Sequence, residues 1–401
     1  MNLKGRALLF TSIAHFLNDS FLVTLSILLT YYIDMKVPAL FVGAMIALVN
    51  LLSGLASPLV SNWADRTGRH SLLMYIGFIM IGLSLASFSG SFVTRGVPQL
   101  AYIGLGSVLL GLGLAFYHPL GGAILQYTYE GSAGGALGIN GALGSVGRAL
   151  APTMLVLLIG YLGGSAALAI VSAYVLVLAS IVYAGLRPIR MPATRETAAR
   201  SFSRLSSYAY MLVPLTAMIF IRAMFITGVM SYTPTYIDGL TKSKELMGFI
   251  VTGAYATAVV GQPFFGWMVN RYGGRFVVVL TTVASTLLYV PFLLVKSAVL
   301  LGVTLGLYSF FAFSGFPVLL GYVSQFVDPS ARAQANSIVW GIGNTVGGAV
   351  GALVGGYIMS QGSLFGLRGV GATMWVLLIF AVVSTAMLPL LPARARQARQ
   401  P

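Results

Sequence analysis

Ser61-Asn62-Trp63-Ala64-Asp65-Arg66-Thr67-Gly68-Arg69-His70 stands between two long apolar runs, and Gly266-Trp267-Met268-Val269-Asn270-Arg271-Tyr272-Gly273-Gly274-Arg275 stands between two more. The second stretch follows the first by 205 residues, about half of the 401-residue chain, and Pro58 and Pro263 precede them at the same spacing. Arg66 aligns with Arg271 and Gly68 with Gly273, while Asn270 stands where the first copy has Asp65. A duplicated, arginine-bearing loop between apolar runs is the mark of an internally repeated membrane protein.

Composition agrees. Hydrophobic residues make up 58% of the chain and charged residues 8%, against about 25% charged in a soluble domain. Such a surface has to face a lipid bilayer. Twelve apolar spans are read near 7–33, 40–60, 71–91, 99–127, 134–160, 165–186, 208–237, 246–269, 276–295, 298–327, 333–360 and 366–391. Of the 23 basic residues, fifteen fall on the side of the N-terminus and six on the other. The bias of Lys and Arg toward cytoplasmic loops then predicts both termini in the cytoplasm. The net charge of +15 is therefore a topology signal, and no nucleic-acid partner is expected. Met1-Asn2-Leu3-Lys4-Gly5-Arg6 reads as a cytoplasmic flank rather than a cleavable leader, and the short loops fit a prokaryotic inner membrane. Absence of cysteine excludes disulfides and thiolate metal sites.

The longest polar segment, Arg187 to Ser207, reads as a linker between two halves. The predicted organisation is an N-terminal six-helix bundle over 1–187, a cytoplasmic linker over 188–207, and a C-terminal six-helix bundle with a basic tail over 208–401. Other echoes support the duplication. Tyr31-Tyr32-Ile33-Asp34 ends span 1 and Thr235-Tyr236-Ile237-Asp238 ends span 7; Glu130 follows span 4 and Asp328 follows span 10; Pro119 and Pro317 share that last offset. Two joined repeats of six spans suggest a transporter whose site lies between them. Glycine runs in span 5 (Gly138, Gly141, Gly144, Gly147) and span 11 (Gly347, Gly348, Gly351, Gly355) read first as close helix packing, and otherwise as surfaces that slide.

Across its full length the chain resembles the major facilitator superfamily, on the loop Asp65-Arg66-Thr67-Gly68-Arg69 and its degenerate second copy. Three stretches are similar to the fosmidomycin-resistance group of drug exporters: His15-Phe16-Leu17-Asn18-Asp19, Phe116-Tyr117-His118-Pro119, and Ile221-Arg222 with Pro234. The resemblance implies an all-α membrane fold, twelve transmembrane helices in two pseudo-symmetric six-helix bundles, with spans 1, 4, 7 and 10 around a central cavity. Two departures from the superfamily's antiporter pattern stand out: no Arg in the outer half of span 4, and Ala151-Pro152 in place of Gly-Pro in span 5.

Ionisable residues at mid-membrane cost about 2.5–3.5 kcal/mol each on insertion scales, so they are functional candidates by default. Here they are Asp19 in span 1, Arg148 in span 5 and Arg222 in span 7. Asp19 is the expected proton-coupling residue, facing Arg222 across the cavity, with His15 one turn away and His118 at similar depth as a relay. The alternative for Asp19 is a permanent ion pair with Arg148 or Arg222. One aspartate against two arginines leaves a surplus positive charge, which favours an anionic substrate bound by Arg222 and Arg148. Asn18, Tyr117, Tyr232 and Phe316 are expected to line the substrate site. Neither a metal nor a cofactor is expected.

In the repeated loop, Asp65 is expected to accept hydrogen bonds at a helix N-terminus, which the resemblance places on span 11. Arg69 would pair with Glu130 to close the inner gate, with Arg66 and Gly68 beside it and Arg271, Arg275 and Asp328 as the second, weaker set. The whole predicts a monomeric, proton-coupled secondary transporter working by alternating access. It would export a small organic anion or drug in exchange for protons; proton-coupled uptake of an organic acid is the alternative. No P-loop or nucleophile–base arrangement points to an enzyme.

Overall fold

The computed structural model describes residues 2–193, 202–328, 331–364 and 366–392. Among them, eleven helices are long and apolar enough to cross a bilayer. The N-terminal six are span 1 (Leu3–Asp34), span 2 (Ala39–Thr67), span 3 (His70–Ser91), span 4 (Val97–Tyr129), span 5 (Ala133–Leu162) and span 6 (Gly164–Leu186). Span 7 (Ala209–Thr241), span 8 (Lys244–Tyr272) and span 9 (Gly274–Leu294) follow. Span 10 is a broken crossing, Ala298–Ala312 and then Gly315–Ser324. Span 11 comprises Arg332–Ser337, a π-helical stretch Ile338–Val346 and Gly347–Ser360, and span 12 is Gly369–Ala386. The only strands among the described residues are a two-residue hairpin, Ser363–Leu364 against Leu367–Arg368.

The halves are built alike. Span 1 packs on span 5 and span 7 on span 11; span 2 packs on span 4 and span 8 on span 10. They meet through symmetry-related pairs, span 2 on span 11 and span 5 on span 8, with span 1 beside span 7. Glycine sets the approach distances. A Cβ on Gly147 would strike the carbonyl of Phe16, and one on Gly351 the backbone of Met224, so span 5 closes on span 1 as span 11 closes on span 7. Gly144 and Gly147 of the first run and Gly347, Gly348, Gly351 and Gly355 of the second are packing positions within each half, whereas Gly138 and Gly141 face open space.

The quoted repeat is not a loop. Span 2 runs on through Asp65 and Arg66 to Thr67, and span 8 through Arg271 to Tyr272. At 29 residues span 2 is about 43 Å long, against about 30 Å of hydrocarbon, so its polar end belongs to helix standing clear of the bilayer core. Gly68 ends it in the left-handed region (φ 67°), its N–H donating to Ala64 O at 2.7 Å, a geometry that favours glycine. Gly273 does the same for span 8 at φ 87°.

We call the face bearing residue 2, the span 2–3 turn and the span 6–7 connection the linker side, and the opposite face the distal side. The bonds that join the halves lie from mid-span to the distal side. Ser145 meets Gln262 near the middle, and Thr153 donates to Thr252 at 2.8 Å further out. Thr30 pairs with Thr235, and Lys244 Nζ reaches Asp34 at 2.6 Å and Asp238 at 3.3 Å. Gly43 and Gly356 meet backbone to backbone. One apolar core accordingly runs through the N-terminal half into the distal part of the other, while the linker-side part of the C-terminal half has a separate core. The halves are sealed distally and part toward the linker side.

Candidate functional site

Span 1 breaks one residue after Asp19, its first helix ending at Ser20. Phe21 N–H donates to Asn18 O and Leu22 N–H to Asp19 O, a tight turn that restarts the helix at Thr24. The break holds a fully buried carboxylate at mid-span. Arg148 Nη2 donates to Asp19 Oδ2. Oδ1 accepts from Asn18 Nδ2 at 3.1 Å and faces His118 Nε2 at 3.5 Å and His15 Nε2 at 3.6 Å. The His118 side chain is half exposed, 52%, and so opens the cluster to the space between the halves.

Asn140, which sequence reasoning missed, organises this cluster. Its Oδ1 lies 2.9 Å from both His15 Nδ1 and Tyr117 Oη, and its Nδ2 donates to Thr11 Oγ1 at 3.3 Å. With Asn140 Oδ1 as acceptor, neutral His15 carries its proton on Nδ1, leaving a bare Nε2 lone pair aimed at the carboxylate. Two imidazole nitrogens and a carboxylate oxygen converging in this way make a place for a shared proton. The three ligand atoms lie within 4.8 Å of one another, a spacing compatible with a metal ion. The Arg148 guanidinium on the other carboxylate oxygen would repel a dication there.

Several sequence expectations change. Asp19 does not face Arg222: its counter-charge is Arg148, brought in by the glycine-lined contact of span 5 with span 1. Arg148 is thereby committed to a carboxylate rather than free for substrate, although its Nε has no partner. Asn18 and Tyr117 are buried and support the cluster instead of lining a cavity. Tyr232 is fully buried in the distal seal, its Oη donating to Ala352 O and packed against Gly43, because the small residues of spans 2 and 11 leave room for its ring. The Phe316 side chain lies outside the described residues.

Arg222 is buried, 6% exposed, and its Nε and Nη2 have no hydrogen-bond partner. It lies beside the span 10 break, where a Cβ on Gly315 would stand 3.0 Å from Nη1.

The gate residues are arranged differently from expectation. Asp65 Oδ1 lies 3.4 Å from Nε2 of His70, a buried residue given no role in the sequence. Arg69, just before span 3, and Glu130, at the end of span 4 with φ 50°, make no ion pair with each other. Nor does Asp65 cap span 11, whose first turn starts after Ala331 without a side-chain cap. The parting of the halves on this side accounts for the second of these absences, since span 11 belongs to the other half, whereas Arg69 and Glu130 lie apart within the same half. Arg66 is exposed, and Gly68 packs against Met191 O of the segment after span 6. Arg271 lies over Trp267 and Tyr272, Arg275 donates to Leu391 O at 3.2 Å, and Asp328 accepts from Tyr208 Oη at 2.6 Å. All three thus bond within the C-terminal half.

Comparison with curated proteins returns no match. Among solved structures, a mutant of the nucleoside transporter NupG superposes with a TM-score of 0.75 at 19% identity, covering 98% of this chain and 100% of that one. A bacterial homologue of the human lysosomal transporter Spinster, solved inward-facing and unoccupied, gives 0.77 at 15% identity, covering 97% and 96%. At such identities these likenesses speak for the fold alone. The sequence itself matches the Major Facilitator Superfamily over residues 8–243 and 238–401, and with its duplicated halves and mid-membrane charges the chain belongs to that family of membrane transporters.

Proposed function

We propose that this chain is a proton-coupled secondary transporter working by alternating access, exporting a small organic anion or drug in exchange for protons. The observation that carries the reading is the buried Asp19, held by Arg148 on one oxygen and faced by two imidazole nitrogens on the other, half open through His118. Asp19 and Arg148 cancel, so a proton taken up by either histidine adds charge to the cluster and competes with Arg148 for the carboxylate. That competition loosens the contact between span 1 and span 5 and biases the two-state equilibrium between the halves. Arg222, with free donors and, among the described residues, no carboxylate paired to it, is the anion ligand.

In this reading the linker side is cytoplasmic and the structure is open toward it. Support comes from the excess of Lys and Arg on that side. Asp65, Arg66, Gly68, Arg69 and Glu130 then form the inner gate in the opposite state, after the halves have rocked together.

Flux in proteoliposomes with an imposed pH gradient tests the proposal. Acid inside the vesicles should drive uptake of organic anions through an antiporter. Acceleration by acid outside would instead assign proton-coupled uptake. Flux indifferent to the gradient, or confined to cations and neutral compounds, would overturn the reading.

A further inference from the structure

We infer that the break in span 10, together with Arg222, Tyr255 and Tyr308, seats the substrate's head group and selects a singly charged group with three acceptor oxygens, such as a sulfonate, over a carboxylate. This rests on the reading of Arg222 as the anion ligand.

Four donors are left without partners in one region. Arg222 Nε and Nη2, Tyr255 Oη and Tyr308 Oη are all buried and make no hydrogen bond. They are grouped around the break. Tyr255 and Tyr308 flank Phe313, with ring centroids 5.1 and 6.1 Å away, and Tyr308 also meets Phe225, one turn along span 7 from Arg222, at 5.7 Å. Buried polar groups are nearly always hydrogen-bonded, so orphans clustered in this way call for a ligand.

The backbone adds to the set. Phe313 and Ser314 form the turn between Ala298–Ala312 and Gly315–Ser324, and the second helix begins without a side-chain cap, since Ser314 Oγ donates back to Phe310 O at 2.7 Å. First-turn N–H groups lack intrahelical partners, here those of Gly315 and Phe316 since Pro317 has none, and the helix dipole favours an anion at that end. Gly315 carries no Cβ where one would stand 3.0 Å from Arg222 Nη1, so the guanidinium and the helix start adjoin directly.

Charge and oxygen number follow from this arrangement. The acids of the C-terminal half, Asp238, Glu245 and Asp328, lie at the ends of its spans, and Arg148 is met by Asp19. One positive charge is left to neutralise. The guanidinium fork takes two oxygens, and the two hydroxyls remain for a third.

Isothermal titration of the purified full chain with benzenesulfonate, benzoate and phenylphosphonate at pH 8 separates the possibilities, with monodisperse elution as the check on folding. The parent should bind benzenesulfonate about tenfold tighter than benzoate, and Tyr308→Phe or Tyr255→Phe should erase most of that ratio with benzoate binding little changed. Arg222→Gln should abolish binding of both. If Arg222→Gln binds all three as the parent does, the reading of Arg222 itself fails. If Arg222→Gln loses binding but the tyrosine variants keep the preference, or benzoate is preferred, only the head-group assignment fails. Tighter binding of the mostly dianionic phenylphosphonate overturns the single-charge argument, and a folded parent that binds none of the three overturns the whole inference.

Discussion

Gly43→Ala tests what holds the distal seal. The added Cβ would lie 2.7 Å from Tyr232 Oη, 2.8 Å from Gly356 Cα and 3.2 Å from Ala352 O. Carbon contacts settle at about 3.5–4.0 Å, so the halves have to separate by roughly 1 Å at this point. Tyr232 can swing its hydroxyl aside, but the Gly356 backbone cannot yield. Overpacking of this kind costs about 1–3 kcal/mol, which shifts the equilibrium between distally closed and distally open forms by about 5–150-fold. The chain has no cysteine, so spin labels at Tyr127→Cys and Tyr272→Cys, both exposed positions near the linker-side ends of spans 4 and 8, report the separation cleanly. The parent should show a long distance, and Gly43→Ala should add a shorter population as the linker side closes. An unchanged distance distribution in a folded Gly43→Ala protein would refute the idea that backbone contact between spans 2 and 11 sets the closed state.

Lys244→Ala, which removes the bridge to Asp34 and Asp238, should matter less. Exposed ion pairs contribute about 0.2–1 kcal/mol, so the same labels should register a shift below about fivefold at low salt and almost none in high salt. Asp19→Asn should abolish pH-gradient-driven flux and also lower the detergent-state melting temperature, because Arg148 is left without its counter-charge, at a cost of up to about 3 kcal/mol. The double variant Asp19→Asn/Arg148→Gln should recover the melting temperature but not the coupling; recovered coupling would remove Asp19 from the mechanism. Asn140→Leu releases the His15 Nδ1 proton from its acceptor. It should displace the pH profile of transport while leaving anion affinity within about twofold, and an unmoved profile would reduce Asn140 to packing.

Hydropathy and the repeat made the twelve crossings and their two-fold relation legible, since both depend on local composition. The positions of Asp19, Arg148 and Arg222 along their spans were equally plain. Their partners were not, because spacing along a helix does not fix its rotation. Asp19 paired with Arg148, not Arg222, through glycines that bring span 5 against span 1. Asn140 and Tyr255 carried no signal above other polar residues in apolar runs. The break in span 10 was hidden for another reason. In the sequence Pro317 reads only as the echo of Pro119; it falls in the first turn of Gly315–Ser324, where its missing N–H is harmless, and the interruption comes before it. Asp65 and His70 were read as parts of a loop, and only the αL glycine between the helices turns them toward each other.

The unequal charging of the two halves has an electrical consequence. The Asp19–Arg148 pair is neutral, whereas Arg222 keeps its charge at mid-depth. When access switches from one side to the other, the dry, voltage-dropping layer passes from one side of that guanidinium to the other, although the side chain itself travels little. A full charge crossing 100 mV corresponds to about 2.3 kcal/mol. The anion-free, proton-loaded carrier should therefore feel the membrane potential as it reorients, while a deprotonated carrier holding a monoanion on Arg222 crosses as an electrically silent particle. Voltage would then set the pace of the return stroke and leave the loaded one alone.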